Sequence, residues 1–148
     1  MSKKMITSRV LAIVGTVLVW IPILATLVTG VIGSIARDRL MMDYLMPAEL
    51  VPFAAIGGIA LIISAMLAQS VQKWIVWSFT GMLAALVLSQ VVAVVSGLAS
   101  GRIEATGIWW VLVLGLIILY AVVMVILGIG GIKLIISLFK KPQKPAAA

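Results

Sequence analysis

Residues 108–132 read IWWVLVLGLIILYAVVMVILGIGGI, and no charged side chain interrupts them; the uncharged gap between Glu104 and Lys133 is 28 residues long. About 20 residues at 1.5 Å rise cross a ~30 Å hydrocarbon layer, so this stretch alone is long enough to span a membrane. The same test finds three further gaps: 27 residues between Arg9 and Arg37, 23 between Glu49 and Lys73, and 28 between Lys73 and Arg102. Spans at roughly 10–35, 51–67, 74–98 and 108–132 follow. The expected fold class is all-α: an integral membrane four-helix bundle of two antiparallel transmembrane hairpins, one domain over residues 1–148.

The composition agrees. Hydrophobic residues make up 64% and charged ones 10% of the 148 positions, whereas soluble domains are about half apolar and a quarter charged. Cysteine is absent, so no disulfide framework or thiolate chemistry enters. Histidine is absent too, which argues against haem ligation, imidazole catalysis and most transition-metal sites. No cofactor and no metal are expected. A net charge of +7 can signal nucleic acid, but the basic residues sit at span ends, where they bear on membrane orientation instead.

Lys3, Lys4 and Arg9 precede the first apolar run, and Ser34-Ile35-Ala36 resembles a small-x-small cleavage site. The run is far longer than the roughly 7–15 residues of a signal-peptide core, so an uncleaved first helix is the expectation. With the N-terminus inside, Lys3, Lys4, Arg9, Lys73, Lys133, Lys140, Lys141 and Lys144 are cytoplasmic, and Arg37, Arg39 and Arg102 lie outside. Basic residues favour the inner side, so the expected protein is a multi-pass protein of the cell membrane with both termini cytoplasmic. Trp74 and Trp77 then fall at the inner interface, and Trp109 and Trp110 at the outer one, as aromatic belts do.

Between the first two spans, the outer loop 36–50 mixes charged and apolar residues. Leu40, Met41, Tyr44 and Leu45 fall at helical spacing, which suggests a short interfacial helix ended by Pro47. Pro52 suits the first turn of the second helix, and Glu49 lies beside that helix's positive end. Residues 68–73 form so short a turn that the second and third helices must be antiparallel neighbours. Thr106 is the expected N-cap of the fourth helix, which can continue to Phe139 before Pro142; the tail 142–148 reads as disordered.

Gly81, Ala85, Ser89, Ala93 and Gly97 recur at a spacing of four in the third helix. Small residues so spaced let a second helix backbone approach, and lipid tails supply no competing hydrophobic reason to associate. Ala54 and Gly58 on the second helix are a possible counterpart. The expectation is an interface within the chain, with a stripe that organises the bundle; a dimer interface is the alternative.

Gln90 is an amide placed within a span, where it needs a partner from the bundle, another protein or a wet cavity. Trp20 and Tyr120 sit near their span midpoints, away from the interfaces such rings prefer, and Pro22 should kink the first helix. These three, Trp20, Gln90 and Tyr120, are the candidate ligand contacts. No Asp, Glu, Arg or His lies deep in any span, which disfavours proton-coupled transport; small four-helix multidrug exporters carry a buried glutamate in their first helix, and this one has none.

Asp38, Asp43, Glu49 and Glu104 lack the alternating spacing of a calcium loop and read as solvated loop charges. Lys133, Lys140, Lys141 and Lys144 would meet anionic lipid headgroups at ~1 kcal/mol each. With no nucleophile and base pair to assign, an enzyme is not expected. The expected function is that of a small accessory or scaffold subunit. Its partners are the lipid bilayer and other transmembrane helices, in a homo- or hetero-oligomer, and not nucleic acid. A carrier or passive pore for a small apolar or uncharged solute is the alternative.

Overall fold

The computed structural model describes residues 3–37, 50–102, 104 and 106–140. Four helices occupy them: α1 (Lys3–Arg37), α2 (Val51–Ala68), α3 (Gln72–Val95) and α4 (Ile108–Lys140). Each contains a window long and apolar enough to cross a membrane. The expected interfacial helix of the outer loop, Glu49 beside α2, and the disordered tail lie outside the described residues.

The boundaries differ from expectation where turn chemistry decides. Helix α1 extends ahead of the apolar span into the basic leader, as far as Lys3, because Lys, Met and Arg are good helix formers. It runs unbroken through Pro22. Helix α3 stops at Val95, and Gly97 at φ 80 leads the chain out of it. The Thr106 cap is corrected: the Val111 amide donates to the Gly107 carbonyl at 3.2 Å, and Gly107 sits at φ 84. Gly107 therefore accepts the first helical bond, the property of the N-cap residue.

The helices pack up-down-up-down in a ring, with the most extensive contacts between α1 and α2 and between α3 and α4. Joined by a tight turn, α2 and α3 nonetheless touch less than either does its other neighbour. Their meeting point is Gly58, whose missing side chain leaves room for the Phe79 ring.

The closest backbone approach lies between α1 and α2. A Cβ on Gly15 would stand 2.8 Å from the Gly57 carbonyl oxygen, and one on Gly57 would stand 2.9 Å from that of Gly15. Only paired glycines permit this separation. Seven residues along each helix, Ser64 Oγ donates to the Ser8 carbonyl at 2.7 Å and Ser8 Oγ donates to the Ser64 carbonyl at 3.1 Å. These reciprocal bonds satisfy two buried hydroxyls where no water reaches.

The helices α3 and α4 meet through Gly81 against Val123 and through the Trp74 ring against Gly130. Of the α3 stripe, Ala85 and Ser89 are buried with Gly81 half-buried, while Ala93 and Gly97 are also only half-buried. The stripe therefore packs within the chain over its first half. Backbone meets backbone at Gly15 and Gly57, whereas a Cβ on Gly81 in the stripe would meet only the Val123 side chain at 3.6 Å.

Leu61, Ile75, Met82, Leu127 and Leu134 fill the centre with almost no exposed surface. In a lipid solvent such close contact, through many small dispersion terms, carries the stability that hydrophobic burial carries in water.

The helices differ in reach. If the Ser8–Ser64 and Gly15–Gly57 register continues, Val51 stands opposite about Ile21, and roughly 16 residues of α1, ~24 Å, extend beyond the start of α2. On that extension Leu27, Val28, Val31, Ile32 and Ile35 are all more than half exposed.

Candidate functional site

Of the three candidate ligand contacts, Trp20 packs against α4. Its indole lies along α4, where a Cβ on Gly128 would be 3.1 Å from Nε1. One turn earlier Thr16 donates to the Ala12 carbonyl at 2.7 Å, and its Oγ1 fills the space that Gly131 leaves open. The Trp20 Nε1 is buried with no hydrogen-bond partner. Such an orphaned N–H has an energetic cost, so packing of the ring and not its polarity holds it in place.

Tyr120 is buried on α4, eight residues and about 12 Å of helix from Gly128. Gln90 lies on the exposed side of α3. The three therefore do not converge. Trp20 and Tyr120 share the interior but at different depths, and Gln90 faces away from both. Sequence position along a span gives only approximate depth and no azimuth: a difference in depth separates Trp20 from Tyr120, and azimuth separates Gln90 from both.

A second cluster gathers at the end of the bundle shared by the start of α1, the α2–α3 turn and the end of α4. Arg9 Nη2 donates to the Leu138 carbonyl at 3.0 Å, and its guanidinium lies 4.7 Å from the centre of the Phe139 ring. Lys133 Nζ lies 4.8 Å from the centre of the Trp74 ring. Trp74 Nε1 donates to the Ile126 carbonyl at 3.5 Å, and Ser70 donates to Ser137 at 3.2 Å. Both cation pairs tie α4 to another helix, each in the geometry of a cation over an aromatic face. Lys140 is exposed, while Lys141 and Lys144 lie outside the described residues.

The turn joining α2 to α3 is tight and strained. Ser70 N bonds to the Ala65 carbonyl and Gln69 N to the Met66 carbonyl, a Schellman closure with Gln69 at φ 49 where glycine is usual. Val71 follows at φ 55, a conformation that branching at Cβ strongly disfavours. Beside it opens a shallow groove lined by Gln69, Gln72, Lys73, Trp74, Trp77 and Ile126, among others.

Sequence reasoning passed over Arg9 and Trp74 as structural partners. Both were visible as residues at span ends, but pairing Arg9 with Phe139 or Trp74 with Lys133 requires the α1–α4 and α3–α4 registers. Among the described residues no three His, Cys, Asp or Glu side chains come together. No family model, curated protein or solved structure matches the chain. Its four apolar helices are compatible with a small multi-pass membrane protein.

Proposed function

We propose that the chain is a non-enzymatic accessory or scaffold subunit of a membrane assembly, with both termini cytoplasmic. The observation that carries this reading is Gln90. Its side chain stands on the exposed side of α3, 18 residues or ~27 Å along a helix that ends five residues later. Side chains tilt toward a helix's N-terminus, so the amide leans back toward the middle of the span. An amide in hydrocarbon needs a hydrogen-bonding partner, and glutamine joins neighbouring membrane helices in this way. The bare end of α1 adds apolar surface beyond the reach of α2. A carrier built on Trp20, Gln90 and Tyr120 has less support, since the three residues lie apart.

Chemical crosslinking and pull-down from native membranes tests the reading. A stoichiometric membrane partner, or a second copy, is expected with the unmodified chain and is lost with Gln90→Leu, while the variant stays folded. Recovery of isolated monomer from the unmodified chain would overturn the proposal. Solute flux in proteoliposomes that Gln90→Leu abolishes would favour a carrier instead. For orientation, Leu40→Cys should react with impermeant reagent from outside and Gln72→Cys from inside. The opposite pattern reverses the topology.

A further inference from the structure

We propose that the groove beside the α2–α3 turn binds the headgroup of one anionic phospholipid, with Lys73 and Lys133 as its cationic contacts. This inference rests on membrane insertion of the four helices and not on the subunit reading. The groove is at an end of the bundle, where α2 turns back into α3, so in either orientation it faces the lipid headgroup layer.

Charge decides the sign of the ligand. Among the described residues Lys3, Lys4, Arg9, Lys73, Lys133 and Lys140 belong to this end of the bundle, and the one acid, Glu104, lies in the connection between α3 and α4 at the other end. No carboxylate competes for these cations from the helices that meet here: α2, the start of α3 and the last half of α4 contain none. Lys73 lines the groove directly. Lys133 is outside the lining but stands 4.8 Å from the centre of the Trp74 ring, which lines the groove, and that ring is fixed against α4, since a Cβ on Gly130 would lie 3.0 Å from it. Gln69 and Gln72 add uncharged donors.

The other wall selects a lipid over a free anion. Trp77 is 77% exposed and Trp74 47% exposed, and Ile126 continues the apolar lining toward the helix midsections. A soluble anion makes no use of such a wall, whereas a phospholipid lays its glycerol and upper acyl chains there. Tryptophan at this depth is the usual neighbour of headgroups. The strained Gln69 and Val71 backbone shapes the rim, and strain of this kind persists where surroundings impose it, often at binding sites.

The full-length protein, reconstituted in vesicles of phosphatidylcholine and phosphatidylglycerol in equal parts and then delipidated in mild detergent, provides the test. Native mass spectrometry should find one phosphatidylglycerol retained per chain in preference to phosphatidylcholine. At the strength expected for a lysine at an anionic surface, Lys73→Gln and Lys133→Gln should each reduce retention roughly fivefold. Lys3→Gln with Lys4→Gln should leave it unchanged, and Lys73→Arg with Lys133→Arg should preserve it. In the unmodified protein, retention of phosphatidylglycerol should fall as salt rises. Brominated phosphatidylglycerol should quench fluorescence that Trp74→Phe and Trp77→Phe together remove. Equal retention of the two lipids, retention indifferent to both glutamine substitutions, salt-independent retention, or complete displacement by inorganic phosphate would each overturn the proposal.

Discussion

Substituting Gly15→Ala adds one methyl group at the narrowest point of the bundle. The new Cβ would lie 2.8 Å from the Gly57 carbonyl oxygen, 3.0 Å from Leu61 Cγ and 3.1 Å from Leu61 N, whereas ordinary contact begins at 3.4 Å. Two of these three obstacles are backbone atoms, so α1 and α2 must separate by about half an ångström. A gap of ~0.5–1 Å forfeits roughly a quarter to a half of each dispersion contact across it. Buried Leu61 makes on the order of 40–60 contacts of ~0.1–0.2 kcal/mol each, so losing a quarter of the half that cross to α1 costs about 1 kcal/mol. Similar losses around Ala12, Val19 and Ala65, together with stretched Ser8–Ser64 bonds, bring the cost to about 2–3 kcal/mol, within the range for overpacking. Alanine's better helix propensity returns about 1 kcal/mol. The net expectation is destabilisation by about 1–2 kcal/mol. Gly115→Ala, where nothing stands within 4 Å of the added Cβ, should gain up to ~1 kcal/mol from the same propensity. Both variants can be unfolded by sodium dodecyl sulfate titration in mixed micelles and followed by circular dichroism. If Gly15→Ala proves as stable as Gly115→Ala, the close approach of α1 and α2 is wrong.

Two further expectations concern named contacts. Ser8→Ala and Ser64→Ala should each cost about 0.6–1.7 kcal/mol and the double variant close to their sum, because each hydroxyl donates to the other residue's backbone carbonyl, which alanine retains; a double variant no less stable than either single one in the same titration would show that the two bonds act as one. Val71→Gly should raise stability by about 1 kcal/mol, since glycine accepts φ 55 without the Cβ penalty, while Val71→Ile should bring no gain; a loss on glycine substitution, read by thermal melting, would place Val71's value in its packing.

Much of the fold was legible because charge is costly in hydrocarbon and this chain keeps its charges far apart. The start of α2 at Val51, with Pro52 in its first turn, was readable from proline geometry. The cap at Gly107 was not, because glycine and threonine compete for that position and only the Val111 bond separates them. On the α3 stripe Ala85 and Ser89 are buried, but a Cβ on Gly81 would meet only ordinary contact, whereas the close approach falls at Gly15 and Gly57, which no periodic spacing marks. Of the candidate site, Trp20 was legible as an aromatic ring near the midpoint of its span, but its neighbour Gly128 lies more than a hundred positions away.

The sequence by itself determined the number of helices, their approximate ends, the accumulation of positive charge at one end, and the shortage of reactive groups between. Each of these follows from composition along the chain and the fixed rise of a helix. Only the tertiary structure decided which faces meet: Gly15 on Gly57, Ser8 on Ser64, Thr16 on Gly131, Lys133 over Trp74, and Gln90 on the outside. When all faces of a helix are apolar, hydropathy no longer distinguishes inside from outside, so rotation about each axis is set by side-chain shape and hydrogen bonding between partners distant in sequence.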